Sequence, residues 1–222
     1  MPPAMGGTAN RFGRRLRALL LATGIALPQG PVAARAAELD ASENARLERG
    51  ETIVHPGVQE QKSGRYVGGV TYALLDASPG QLDALFEDVS AYRQILPYTK
   101  DVRSLGHDGP DLVIWLRQGK SFLDASYTVR VRSEPGEATG ERLVRFWIDR
   151  RQRHGIDDAY GYFRYRPVAS DGPQRVLLTF GIWVDIGPGL VRDLFEGRIQ
   201  RVVLTVPDHV RATLAARGRG RV

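Results

Sequence analysis

The sequence has no cysteine. That excludes a disulfide scaffold, a thiolate metal site, a cysteine nucleophile and a lipoprotein-type lipid anchor. Histidine is scarce as well: His55, His107, His154 and His209 lie in separate segments, none at His-x-x-x-His spacing, so no metal site is expected. No G-x-x-x-x-G-K or G-x-G-x-x-G loop follows a strand, and there is no G-x-S-x-G elbow. No cofactor is expected. Acidic residues are missing from one place, residues 1–37, which hold Arg11, Arg14, Arg15, Arg17 and Arg35 instead. The formal charge of +6 comes from that stretch, because removing its five arginines leaves 26 basic residues against 25 acidic ones. A body so close to neutral lacks the electrostatic footprint that a phosphate backbone demands, and no nucleic-acid partner is expected.

Hydrophobic runs are short. Ala18–Leu27 would cover only about 15 Å as a helix, half a bilayer core, so a permanent span is not expected. The order is nevertheless informative. Arg11 to Arg17 form a basic region, Ala18–Leu27 an apolar one, Pro28, Gln29, Gly30 and Pro31 break it, and Ala34-Arg35-Ala36 gives small residues at A-x-A spacing. This is the pattern of a secretory signal peptide. The expectation is a signal peptide at 1–36, cleavage near Ala36 and a periplasmic or secreted protein. The same composition also suits transient contact with a membrane surface. Arg14-Arg15 is a twin-arginine pair, but Arg17 departs from that motif, so the export route stays open.

After the leader, 37–64 reads as an N-terminal extension. It holds a helix at Glu38–Arg49, with Asp40 and Glu43 at capping-box spacing and Gly50 to end it, then a short strand at Thr52–Val54 before Pro56 and Gly57. From Arg65 the pattern becomes regular. Tyr66–Leu75 reads as a strand, and Ser78-Pro79-Gly80-Gln81 as a helix start whose apolar face is Leu82, Leu85, Phe86 and Val89. Six further strand-like runs follow: Lys100–Leu105, Leu112–Arg117, Phe122–Arg132, Arg142–Arg151, Ala159–Pro167 and Arg175–Asp185. Their turn-rich connections favour sequential antiparallel pairing. Gly187-Pro188-Gly189 then opens a long helix with Val191, Phe195, Ile199, Val202 and Val206 on one stripe, and Pro207 is expected to kink or break it. Residues 217–222 read as a frayed tail.

The densest charge run, Asp149 to Asp158, has two readings: an anion clamp in which His154 pairs with Asp157, or a solvated hairpin tip. Tyr160, Tyr162, Phe163 and Tyr165, with Trp147 and Trp183, make the later strands aromatic, either as core or as a cavity wall. Asp124 and Tyr127 are candidates for acid–base work, but nothing in their spacing raises them above structural residues, and no catalytic residue is assigned.

The element order implies an α+β fold, a seven-stranded curved antiparallel sheet wrapped around a long C-terminal helix. From Arg65 to Ala216 the chain resembles the helix-grip fold of the START-like (SRPBCC) superfamily, which includes birch-pollen-allergen proteins, polyketide cyclases and coenzyme Q-binding START-type proteins. The resemblance is carried by Ala77-Ser78-Pro79-Gly80-Gln81-Leu82 through Val89, Tyr92 and Ile95-Leu96-Pro97, by Gly161, and by Trp183-Val184-Asp185 before Pro188. It implies a hydrophobic small molecule held between sheet and helix. Register places Phe146, Phe180 and Ile182 opposite Phe195, Ile199 and Val202, because a one-residue slip would bury Arg145 and Asp149. Tyr127, Val129 and Phe163 complete the expected ligand wall. The expectation is thus an exported, non-catalytic binder of a lipid, quinone-like or polyketide-like molecule. A cyclase or dehydratase on the same fold, or an interaction module with a filled core, are the alternatives. The sequence does not set the oligomeric state.

Overall fold

A computed structural model describes residues 39–120, 123–169 and 172–219. The expected signal peptide and its cleavage point lie outside them. The described chain opens with α1 (Ala41–Glu48), where Asp40 and Glu43 form the reciprocal capping box. Two strands follow, β1 (Ile53–Gln61) and β2 (Gly64–Leu75). Helix α2 (Pro79–Glu87) starts on Ser78, whose hydroxyl accepts from Gln81 N while Gln81 returns a bond to Ser78 N. A single 3-10 turn and the short α3 (Tyr92–Ile95) lead to six strands. These are β3 (Thr99–Asp108), β4 (Asp111–Lys120), β5 (Leu123–Pro135), β6 (Arg142–Ile148), β7 (Asp158–Val168) and β8 (Arg175–Asp185). The C-terminal helices are α4 (Leu190–Val203) and α5 (Val206–Arg219).

All strands join one antiparallel sheet in the order β1-β2-β8-β7-β6-β5-β4-β3. The sheet therefore has eight strands, not seven. The extra one is β1, which pairs with β2 from Ile53↔Tyr72 to Gln61↔Gly64. Pro56 and Gly57 read as a turn in isolation. An edge strand tolerates proline because one side of its backbone needs no ladder partner.

Register sorts the residues onto two faces. One inner row runs Gly69–Ile182–Gly161–Phe146–Val131–Leu112, and another joins Thr71, Phe180, Phe163 and Val144. Gly161 is required in the first row. A Cβ there would stand 2.3 Å from the Gly181 carbonyl and 2.4 Å from Phe146 Cζ, so its absence lets the Phe146 ring lie across β7. The outer row runs Gly68–Trp183–Tyr160–Trp147–Arg130–Val113.

The C-terminal stripe is divided. α4 ends at Leu204, and Val206 with Pro207 begins α5. This is the break that proline's missing N–H and its clash with the preceding turn demand. Val206, Val210 and Leu214 of α5 are buried in one cluster with Phe163, Phe180 and Leu178. Phe195, Ile199 and Val202 of α4 stay half-buried and outside that cluster. The expected opposition of these three to Phe180 thus passes instead to the next turns of the stripe. The reason is the break: it lets α5 lie on β2 and β8 while α4 lies on β2. α5 also continues to Arg219, with Arg217 donating to Asp88 at 2.5 Å, where a frayed tail was expected from 217.

Candidate functional site

The inner face is built in two halves. Beneath α5 it is close-packed: Phe180 is fully buried, its ring 4.8 Å from Phe163, and Phe163 lies 4.5 Å from Phe86 of α2. Val129 is buried in the same core. Toward α4 the side chains are less covered. Phe146, Ile182, Ile186 and Ile156 are half-buried at the border of the core, and Phe195, Ile199 and Val202 on the helix are half-buried outside it. All nine expected ligand-wall residues lie on the inner face or on α4. The packed half takes Val129, Phe163 and Phe180, and the looser half takes Phe146, Ile182, Phe195, Ile199 and Val202.

Tyr127 points inward from β5. Its hydroxyl donates to Gln118 Oε1, and Gln118 Nε2 in turn donates to the Pro97 carbonyl and to Thr99 Oγ1, both at 3.0 Å. Burial raises the Tyr127 pKa, so the group is a neutral, oriented hydroxyl at the end of the inner face. Asp124, the other acid–base candidate, faces away. Arg117 and Lys100 hold its pKa down to about 2, and it stays an ionised surface carboxylate.

α4 is attached by polar contacts. Gln200 Nε2 donates to the carbonyls of Gly57 at 2.9 Å and Gly68 at 3.0 Å, and Arg65 forks onto Glu196 with its nearest contact at 2.8 Å. Side chains at Gly57 and Gly68 would point to the other face, so glycine is not needed to clear the path; the polar reach of Gln200 sets the contact. Helical periodicity in the sequence marks the apolar stripe of α4 and carries no sign of this attachment.

The charge run from Asp149 to Asp158 does not form the clamp. His154 Nδ1 lies 2.6 Å from the Ile156 carbonyl, and the ring is exposed. Asp149, expected on the solvated side, is only 4% exposed. Arg130 Nε reaches it at 3.1 Å and Arg130 Nη1 reaches Asp111 at 3.0 Å. Burial alone would raise the Asp111 pKa, but Arg132 and Arg130 outweigh it and the carboxyl sits below its ordinary value. Arg145 is exposed, as the register argument requires. Among the described residues no group of histidine and acidic side chains could hold a metal ion, and no helix is long and apolar enough to cross a membrane.

No family model matches the sequence, and no curated protein matches it either. Solved structures do match in fold. A STAR-related lipid transfer protein from Xanthomonas axonopodis superposes with a TM-score of 0.59 at 16% identity, over 74% of this chain and 93% of that one. The fold is START-like. Human STARD10 gives 0.52 at 11% identity, over 84% of this chain and 83% of its own. The Zhui aromatase/cyclase from Streptomyces sp. R1128 gives 0.50 at 17% identity, over 71% and 94%. These START-like neighbours include a lipid transfer protein and a cyclase, and at such identities they establish architecture alone.

Proposed function

We propose that this START-like protein binds a hydrophobic small molecule between α4 and the inner face of β6 and β8, without catalysing a reaction on it. The observation that carries the reading is the contrast between the two helices. α5 seals its half of the sheet with buried side chains, whereas α4, which lies on β2, leaves Phe195, Ile199 and Val202 half-covered, and Phe146 and Ile182 on the inner face of β6 and β8 are half-covered too. Apolar side chains held incompletely covered beside a packed core suit a ligand that completes their burial, at roughly 25 cal/mol per Å² of apolar surface removed from water. Tyr127 and Gln118 supply a polar pair that can orient one end of such a molecule. A lipid, a quinone-like ring with an isoprenoid tail, or a polyketide-like molecule all fit an apolar lining with few polar groups. The leader's order supports export to the periplasm or the medium.

Native mass spectrometry of the protein purified from its own cells tests this. A co-purified apolar molecule, lost when Ile199 is replaced by Asp while the fold persists by circular dichroism, is the expected result. Protein that is ligand-free after gentle purification, and that takes up no fatty acid, quinone or aromatic polyketide in solution, would exclude the reading. Intact mass beginning near Ala37 is the matching expectation for export.

A further inference from the structure

The side-chain hydrogen bonds at the β3–β5 end of the inner face all run in one direction. Tyr127 donates to Gln118 Oε1, Gln118 Nε2 gives its hydrogens to the Pro97 carbonyl and to Thr99 Oγ1, and Thr99 donates its own to the Leu96 carbonyl at 2.9 Å. Backbone carbonyls fix that direction, because a carbonyl can only accept. Pro97 obliges the amide to present its nitrogen, and Leu96 takes the Thr99 proton, so Thr99 receives from Gln118. Turning the amide over would set Oε1 against the Pro97 oxygen. Oε1 is therefore left to face Tyr127, whose single proton is spent on it. The turn that carries the acceptors is itself held. Tyr98, between Pro97 and Thr99, is the one described non-glycine residue with positive φ, at 58°, and its carbonyl accepts from Gly119 N at 3.0 Å. Such a conformation persists only where the surroundings impose it.

The relay starts at Tyr127 Oη, which receives no bond from any described residue and keeps lone pairs but no proton to give. Around it the inner face is apolar, with Leu116 opposite on β4 and Val129 two residues along β5. We infer that this end of the site accepts hydrogen bonds and gives none, so that the ligand is an apolar molecule whose polar end is a hydroxyl or a phenol. A ketone, a quinone carbonyl, an ester or an ether would set its lone pairs against those of Tyr127, and a carboxyl group fits in its protonated form. For Tyr127 to donate to a ligand, it would have to leave Gln118 Oε1 without its bond. Burial raises the Tyr127 pKa, which keeps the proton on the ring oxygen and the relay intact. The inference rests on the inner face being a ligand site, and it narrows the lipid, quinone-like and polyketide-like classes to their hydroxyl-bearing members.

A matched set of probes tests this: a long-chain secondary alcohol, its ketone and its methyl ether, each with the same pyrene label at the far end. Pyrene emission follows their binding to the full chain. The alcohol should bind about tenfold more tightly than the ketone or the ether. Gln118→Met keeps an unbranched side chain of similar length, removes the acceptor and frees the Tyr127 proton. In that variant the preference should vanish, and the ketone should bind at least as well as the alcohol. The wild-type comparison stands whether or not Gln118→Met folds by circular dichroism. Equal binding of the three probes to the wild-type chain, or a preference that a folded Gln118→Met leaves intact, overturns the inference while the pocket stands. Binding of none of the three overturns the pocket, and the inference with it.

Discussion

Thr71 Oγ1 donates to the Leu204 carbonyl at 3.1 Å, so β2 grips the C-terminal helix at the residue where it breaks. Thr71 is fully buried. Thr71→Val keeps the shape and removes the donor, leaving a buried carbonyl with one partner fewer. A loss of about 1–3 kcal/mol in urea unfolding is expected. A loss within error would mean that the bond does not hold the break in place.

Two phenylalanines should behave differently. Phe180→Ala empties a space in the packed half and should cost about 3–5 kcal/mol. Phe195→Ala removes a ring that is only half-covered and should cost clearly less. Equal penalties in thermal or chemical unfolding would show that α4 is packed as tightly as α5.

Filling is the converse measurement. Val202→Trp should leave the melting temperature nearly unchanged while abolishing uptake of a fluorescent fatty acid. In a solid core the same change would lower stability by about 1–3 kcal/mol.

Gly161→Ala adds one methyl group where the Gly181 carbonyl and the Phe146 ring leave no room. The carbonyl belongs to the sheet ladder and cannot retreat, so a loss of about 1–3 kcal/mol is expected. Gly218→Ala, in open space near the end of α5, is the neutral comparison.

Acid should expose the Asp111 network. A carboxylate whose folded pKa is depressed adds stability that is fully present above its unfolded value, about 3.9, and is lost as pH falls through the folded one. The native protein should therefore weaken below about pH 4 with a slope that Asp111→Asn reduces. An unchanged slope in guanidinium titrations across that range would remove Asp111 from the acid response.

Local signals were readable where local physics decides. Ser78 with Gln81, and Asp40 with Glu43, cap their helices through bonds three residues apart, and Pro207 interrupts a helix that would run into it from the preceding turns. Strand phases in β6 and β8 were equally legible, since period-2 alternation survives any tertiary arrangement. Only the start of β1 was legible, as the short strand at Thr52–Val54, because Pro56 and Gly57 look like a turn until a sheet edge is there to receive them. Asp149 was misplaced for a related reason: Arg130, the partner that lets it be buried, stands 19 residues earlier on another strand. The candidate site divides the same way. Periodicity put Phe195, Ile199 and Val202 on one stripe, but how far α4 stands from the sheet is set by Gln200 and Arg65, which no pattern announces.

All three tryptophans, Trp115, Trp147 and Trp183, lie on the outer face of the sheet. The protein's own indole emission therefore looks away from the proposed ligand. A titration followed by intrinsic fluorescence could be flat through complete saturation, and such a flat trace would carry no information about binding. Placing tryptophan at 202 would create the chain's only inward-looking indole, a variant that both fills the space and lights it.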